Sequence, residues 1–150
     1  PDVIDIRQTF AIELEIEVLQ PSWVLTPDIA LFTDNGECLF EAFDLDPDWR
    51  RRPRPVGRYV STAWIPGNFL AEGAHFVSAF CMSFDPHRVL INAEEVVGFR
   101  VVDSHDGDSA RGDHPGEMWG VIRPMLKWTT QFVPRQESAN ITRGEEGTAP

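Results

Sequence analysis

The chain has 150 residues, 42% of them hydrophobic, and carries a net charge of −11. That length suits one domain with a sizeable core, while the charge disfavours nucleic acid, whose binding rests on neutralising phosphates, and anionic membrane surfaces. No apolar run approaches the roughly 20 residues that span a bilayer, no basic-then-apolar leader opens the chain, and Pro1 is no natural start, so the sequence reads as a piece cut from a longer protein.

Taken in order, Asp2 to Gln8 is a weak lead-in of edge-strand character. Phe10 to Val18 alternates strictly. Phe10, Ile12, Leu14, Ile16 and Val18 lie on one face, and Ala11, Glu13, Glu15 and Glu17 on the other. Such a period-two pattern predicts a strand with one buried and one wet, acidic face. Pro21 ends the run. Asp28 to Thr33 and Cys38 to Leu45 form the next pair of strands. Asn35-Gly36 between them predicts a type I′ hairpin, because that turn needs positive φ angles. Asp46 to Val56 (DPDWRRRPRPV) contains three prolines, which exclude a central strand, so it reads as an irregular loop.

Two further strands are expected at Arg58 to Ile65 and His75 to Phe84. The connection holding Pro66, Gly67 and Gly73 is too long for a tight hairpin and suits a corner where the chain passes from one sheet of a sandwich to the other. In the second strand the bulky set (Phe76, Phe80, Met82, Phe84) is expected to fill the core. The small set (His75, Val77, Ala79, Cys81, Ser83) would then line a shallow outer groove. Val89 to Ala93 and Val96 to Asp103 read as strands, Ser104 to Glu117 as a mobile loop, and Trp119 to Ile122 and Leu126 to Val133 as the final strands. Residues 1–134 make the domain, and the polar, aperiodic stretch from Arg135 to Pro150 reads as a disordered tail. About eight short strands with frequent turns define an all-β, immunoglobulin-like β-sandwich with antiparallel strands.

Little in the sequence points to catalysis. There is no nucleophile elbow and no phosphate loop. Asp103, His105, Asp106, Asp108, Asp113 and His114 crowd one loop, yet their spacing matches neither an EF-hand nor a zincin helix, and a solvated loop explains them as well. No metal or other cofactor is assigned. A glycosidase needs two carboxylates about 5–9.5 Å apart, and among 24 acidic residues some pair will meet that distance by chance. Cys38 and Cys81 read as free thiols, with an inter-sheet disulfide as the other option.

The aromatic residues are more informative. Five Trp accompany one Tyr, and Trp49 stands beside Arg50, Arg51 and Arg52 in a loop. A flat indole packs on the C–H face of a sugar ring while its N–H still donates. The same loop would equally serve to anchor itself on the domain, or to meet an acidic partner. Arg58, Thr62 and Trp64 project from one face of one strand, and His75 joins them if the next strand lies in the same sheet. Trp49, Arg58, Thr62, Trp64 and His75 are therefore the candidate carbohydrate-binding residues, and the acidic chain suits a neutral glycan.

Four segments, ALFTDNGECLFEAF, IPGNFLAEGAHFVSAF, VVGFRVVD and ARGDHPGEMWGVIRPMLKW, appear in an order that resembles the C-terminal domain of Wzt-type ATP-binding subunits of polysaccharide ABC exporters. Phe76 stands where that pattern has Tyr, and the likeness runs from about Val3 to Trp128. It implies a non-catalytic module that recognises a finished O-antigen-like glycan, often by its terminal modification. The module would work at the cytoplasmic face of the inner membrane, beside an N-terminal nucleotide-binding domain and a membrane-spanning transporter subunit. It also implies a homodimer, with Leu126 to Val133 as the strand open to exchange. The competing reading is a structural or protein-interaction sandwich that docks partners without binding sugar.

Overall fold

The structure is a computed structural model that describes residues 2–21 and 23–136. These residues form seven strands and no helix. They are β1 (Asp2–Asp5), β2 (Phe10–Val18), β3 (Thr26–Thr33), β4 (Cys38–Phe43), β5 (Gly57–Ile65), β6 (Gly73–Phe84) and β7 (His87–Val102). One sheet has the order β1-β7-β6-β3-β4, and the other consists of β2 and β5. Every pairing is antiparallel except β1 with β7, which is parallel. The fold is an all-β sandwich, with five strands facing two.

The alternation of β2 does what its pattern requires. Its even-numbered residues turn inward, and Phe10, Ile12 and Leu14 pack with Ala63 of β5 against a buried cluster of Ile6, Ile29, Leu31, Ile65, Leu70, Val77, Phe99 and Val101. Fully burying a residue such as Leu31 contributes about 1.5–3 kcal/mol. On the opposite face Glu13, Glu15 and Glu17 stand in register with Thr62, Val60 and Arg58.

The corner between β5 and β6 carries the chain from the two-stranded sheet to the five-stranded one, as the connection length predicts. Gly67 sits against the backbone of Arg7, and a Cβ there would collide with the Arg7 carbonyl. The backbone bonds from Asn68 N to Ile6 O and from Arg123 N to Phe69 O tie the corner down.

Four expectations need correction. The faces of β6 are reversed. Val77 belongs to the buried cluster and Cys81 is buried, while Phe84 is exposed and packs edge-on to Phe43. The narrow second sheet supplies its own large side chains, so small residues opposite them let the layers approach. The Asp34–Glu37 turn has positive φ only at Gly36. With Gly36 N bonded to Thr33 O and a register shift at Phe32, it is a type I turn with a bulge, not type I′. The two strands expected at Val89–Ala93 and Val96–Asp103 are one, β7. Its register jumps from Val77↔Val97 to Ala79↔Ala93, and the bulge places the Glu95 amide on Ser78 Oγ at 3.0 Å. Finally, Trp119–Ile122 and Leu126–Val133 are not strands. Only an isolated bridge joins Leu70 to Ile122, and Leu126, Trp128, Phe132 and Val133 are exposed. Most of the expected tail, residues 137–150, lies outside the described residues.

The loop expected to be mobile is held by buried ion pairs. Arg111 donates to Asp103 Oδ2, Glu72 Oε1 and the carbonyls of His114 and Gly116, and Arg123 meets the same Glu72. Burial works to raise the Asp103 carboxyl, but hydrogen bonds from Ser109, the His105 amide and Arg111 hold it below the usual carboxylate range. Two of the carboxylates that suggested a metal are thus engaged with arginines and hydroxyls: Asp103 as above, and Asp106, which accepts from Arg7 and Ser104. No group of three or more metal-type donors occurs among the described residues.

Candidate functional site

Among the described residues β4 and β5 each end their sheet with an unpaired edge, and a cavity of ≈ 660 Å³ opens alongside both. Phe43, Asp44 and Trp49 border it on one side, and Arg58, Tyr59, Ser61 and Thr62 on the other, with Arg54 also in the lining. The loop prolines keep Asp46–Val56 out of the sheet, so this segment is free to fold back over the gap. A short turn, with Trp49 N and Arg50 N both bonded to Asp46 O, sets the Trp49 ring in place.

The lining is a small, ordered polar network with an aromatic wall. Ser61 Oγ donates to Asp44 Oδ2 at 2.7 Å, and Arg54 Nη2 donates to the same oxygen at 3.2 Å. Asp44 Oδ1 accepts from the Asp46 amide. Burial pushes the Asp44 carboxyl up, but these three partners outweigh it and hold its pKa below the ordinary value. Arg54 is 3% exposed. Its guanidinium carbon lies 5.7 Å from the Trp49 ring centre and 5.1 Å from that of Tyr59, and the two rings meet edge to face at 5.0 Å. The buried Arg54 Nε has no acceptor among the described residues. Tyr59 donates its hydroxyl to Pro55 O, which fixes the ring.

Of the five residues proposed from sequence, Trp49, Arg58 and Thr62 line this one cavity. Trp64 follows Thr62 on the outer face of β5, 70% exposed and outside the cavity. Arg58 is braced across the two-stranded sheet by Glu15, with Nε to Oε1 at 2.7 Å. His75 does not join them. It lies in the five-stranded sheet, is 3% exposed, sits 2.8 Å from the Ala71 carbonyl through Nε2, and packs on Phe99. Asp44, Arg54, Tyr59 and Ser61 are the residues that sequence reasoning missed. Tyr59, the only tyrosine, was the one available signal; Asp44 and Ser61 meet only because two consecutive strands that belong to different sheets become neighbouring edges.

Elsewhere the thiols are free, with Cys38 exposed and Cys81 buried. Burial raises the Cys81 pKa and makes it a poor nucleophile.

With fold and cavity in hand, comparison with known proteins adds one result. The chain is similar in fold to a solved structure, the C-terminal domain of Wzt, with a TM-score of 0.66 and 15% sequence identity over 87% of this chain and 75% of that one. No protein-family model matches the sequence. No curated protein matches it either. The class is therefore an all-β sandwich with a Wzt C-terminal-like fold.

Proposed function

We propose that this chain is a non-catalytic carbohydrate-binding module that recognises an O-antigen-like bacterial polysaccharide for export by an ABC transporter. The observation that carries the reading is the cavity between the β4 and β5 edges, where the Trp49 and Tyr59 rings stand beside the ordered donors and acceptors of Arg54, Asp44 and Ser61. Aromatic surface with a few fixed polar groups is the composition that binds sugar rings. The likeness in fold to the Wzt domain supports the same reading. In it, the module stands at the cytoplasmic face of the inner membrane with a nucleotide-binding domain and a membrane-spanning subunit. Calorimetric titration with bacterial polysaccharides tests it: Trp49→Ala weakens binding about tenfold or more, corresponding to at least ~1.4 kcal/mol. A folded chain that binds none of them ends the proposal.

A homodimer belongs to the same proposal. Among the described residues the β7 edge from His87 onward has no partner until β1 pairs at Phe99, and Val89, Leu90 and Ile91 on it are exposed. Leu126–Val133, exposed and apolar, is the segment that pairs with a second copy. The protein-interaction reading rests on these same surfaces. Deleting residues 126–133 separates the two: loss of the dimer with sugar binding intact supports the module, and loss of the dimer in a chain that never binds sugar supports the interaction role.

A further inference from the structure

Both arginines that line the cavity between the β4 and β5 edges are already paired, Arg54 with Asp44 and Arg58 with Glu15 across the two-stranded sheet. Asp28 and Asp46 also line it, and neither meets a cation among the described residues. Asp46 Oδ1 accepts from the Asp48 amide. Asp28 has no such relief: it is 1% exposed, and neither of its oxygens meets a donor among the described residues. Glu41 on β4 sets a second negative charge against it, while Phe43 on β4 and Phe80 on β6 stand in register with it. The Cys81 thiol on β6, raised in pKa by burial, brings no charge, and Arg54, whose charge also reaches Cys81, is taken by Asp44. Burial and Glu41 push the Asp28 pKa up to about 7, so near neutral pH either a proton or a cation belongs beside it.

The chemistry of that cation is narrow. A bare metal ion wants more oxygen ligands than a pair of carboxylates offers, and no group of three or more metal-type donors occurs among the described residues. A neutral hydroxyl donates one hydrogen and leaves Asp28 and Glu41 repelling each other. A primary ammonium donates three hydrogens and also neutralises the charge. The cavity makes two further demands. The buried Arg54 Nε–H, without an acceptor among the described residues, calls for an oxygen, and the Trp49 and Tyr59 rings call for an apolar face. An aminodeoxy sugar carries all three: an ammonium, hydroxyl oxygens and a C–H face.

We propose that the sugar taken by this cavity carries a free amino group, and that Asp28 binds its ammonium while Trp49 packs on the ring and a hydroxyl oxygen accepts from Arg54 Nε. This inference rests on the sugar-binding reading above and changes its expected ligand from a neutral to a cationic glycan. The chain's net charge of −11 draws such a glycan in. Arg50, Arg51 and Arg52 follow Trp49 in sequence but do not line the cavity, so they stand outside this contact.

The test titrates D-glucosamine, D-glucose and N-acetyl-D-glucosamine into the full chain at high millimolar concentration, at about pH 6.5 where the free amine is still protonated. NMR follows the Trp49 indole N–H and the Asp28 carboxyl carbon, whose shift reports its ionisation. Glucosamine is expected to move both signals, to ionise Asp28, and to bind about tenfold more tightly than either other sugar, with the advantage shrinking as salt is added. The advantage also falls by roughly tenfold at about pH 5, because the ammonium must then displace a proton from Asp28. Asp28→Asn keeps the shape of the side chain and abolishes the advantage. Equal binding of glucosamine and glucose overturns this inference and leaves the sugar-binding reading standing. So does N-acetylglucosamine matching glucosamine, because the nitrogen is then read without its charge, and so does an advantage that survives in Asp28→Asn. Methylammonium reproducing both shifts overturns it as well, since the cavity is then an unselective cation site. Silence with all three sugars overturns this inference, and the polysaccharide titration above then decides the sugar-binding reading by itself.

Discussion

Ser61 and Asp44 join the two sheets: Ser61 Oγ on β5 lies 2.7 Å from Asp44 Oδ2, just beyond the end of β4. This bond spans the open side of the sandwich, where no backbone ladder connects the layers. Arg54 adds its charge to the same oxygen. The Asp44 carboxyl is held below its ordinary pKa despite burial, so the sign of its contribution follows. Its stabilisation is present above the unfolded carboxylate pKa near 4 and is lost as pH falls through the lower folded value. Asp44→Asn is expected to cost about 2 kcal/mol at pH 7 and to make the acid limb of the stability curve shallower. Urea denaturation at several pH values measures both. A variant whose acid limb matches that of the wild type removes Asp44 from this role.

Asp28 behaves in the opposite sense. It is 1% exposed on β3, on the same side as Phe43 and Phe80 with which it is in register, and neither carboxylate oxygen finds a donor. Burial, then Glu41 on β4, whose carboxylate accepts from the protonated form and repels the charged one, push its pKa up to about 7. The folded state therefore holds a proton that the unfolded chain releases near pH 4, and stability falls as pH rises from about 4 to about 7. Asp28→Asn, which keeps the shape and removes the charge, is expected to stabilise the fold above pH 7 by about 1–3 kcal/mol and to flatten that slope. Thermal melts at pH 5 and pH 8 check it, since a wild-type melting temperature unchanged between them contradicts the expectation.

The sequence made the strands legible because alternation is local. β2 and β5 can be read from their own residues, and the Ile65–Gly73 corner from its length, its proline and its two glycines. Which strands lie side by side is a non-local outcome. Trp64 and His75 flank that corner, yet one is exposed on the two-stranded sheet and the other is buried in the five-stranded sheet. The same limit applies at the end of the chain. Leu126–Val133 has strand-like residues but finds no partner strand within the described residues, so its pattern has nothing to pair with. At the candidate site, Trp49 was visible because an aromatic in an arginine-rich loop has few structural duties. Asp44 and Ser61 were not, since a lone Asp or Ser acquires meaning only when another strand arrives opposite it.

Arg111 organises the long loop after β7. Its side chain is 4% exposed and faces Asp103, itself 2% exposed, and the more open Glu72. Removing one member of a buried ion pair leaves the other charge uncompensated. Arg111→Ala is thus expected to cost about 3–5 kcal/mol, and Arg111→Lys recovers little because an ammonium cannot serve two carboxylates and two carbonyls in one plane. Hydrogen exchange provides the local measurement. Amides between Ser109 and Arg123 lose protection in Arg111→Lys before those of β3 and β6 do. Uniform loss across the sheets would mean that the loop is integral to the core.

Gly67 limits what the corner tolerates. The backbone of the β1–β2 connection passes directly over it, and a Cβ at this position would overlap the carbonyl of Arg7. The obstacle is main chain, held by Ile6 N on Val102 O and Gln8 N on Asp5 O, so it does not swing aside as a long side chain would. Gly67→Ala is therefore expected to destabilise by at least about 1–3 kcal/mol, the cost of forcing a methyl into a packed site. Gly36→Ala serves as the comparison: it has open space but a left-handed φ of 79°, so its cost of roughly 1 kcal/mol comes from backbone strain alone. Chemical denaturation of both variants distinguishes the two origins. If Gly67→Ala is the milder of the pair, the close approach between the corner and Arg7 is not what positions β5 against β1, and the two-stranded sheet must be held by its inward side chains instead.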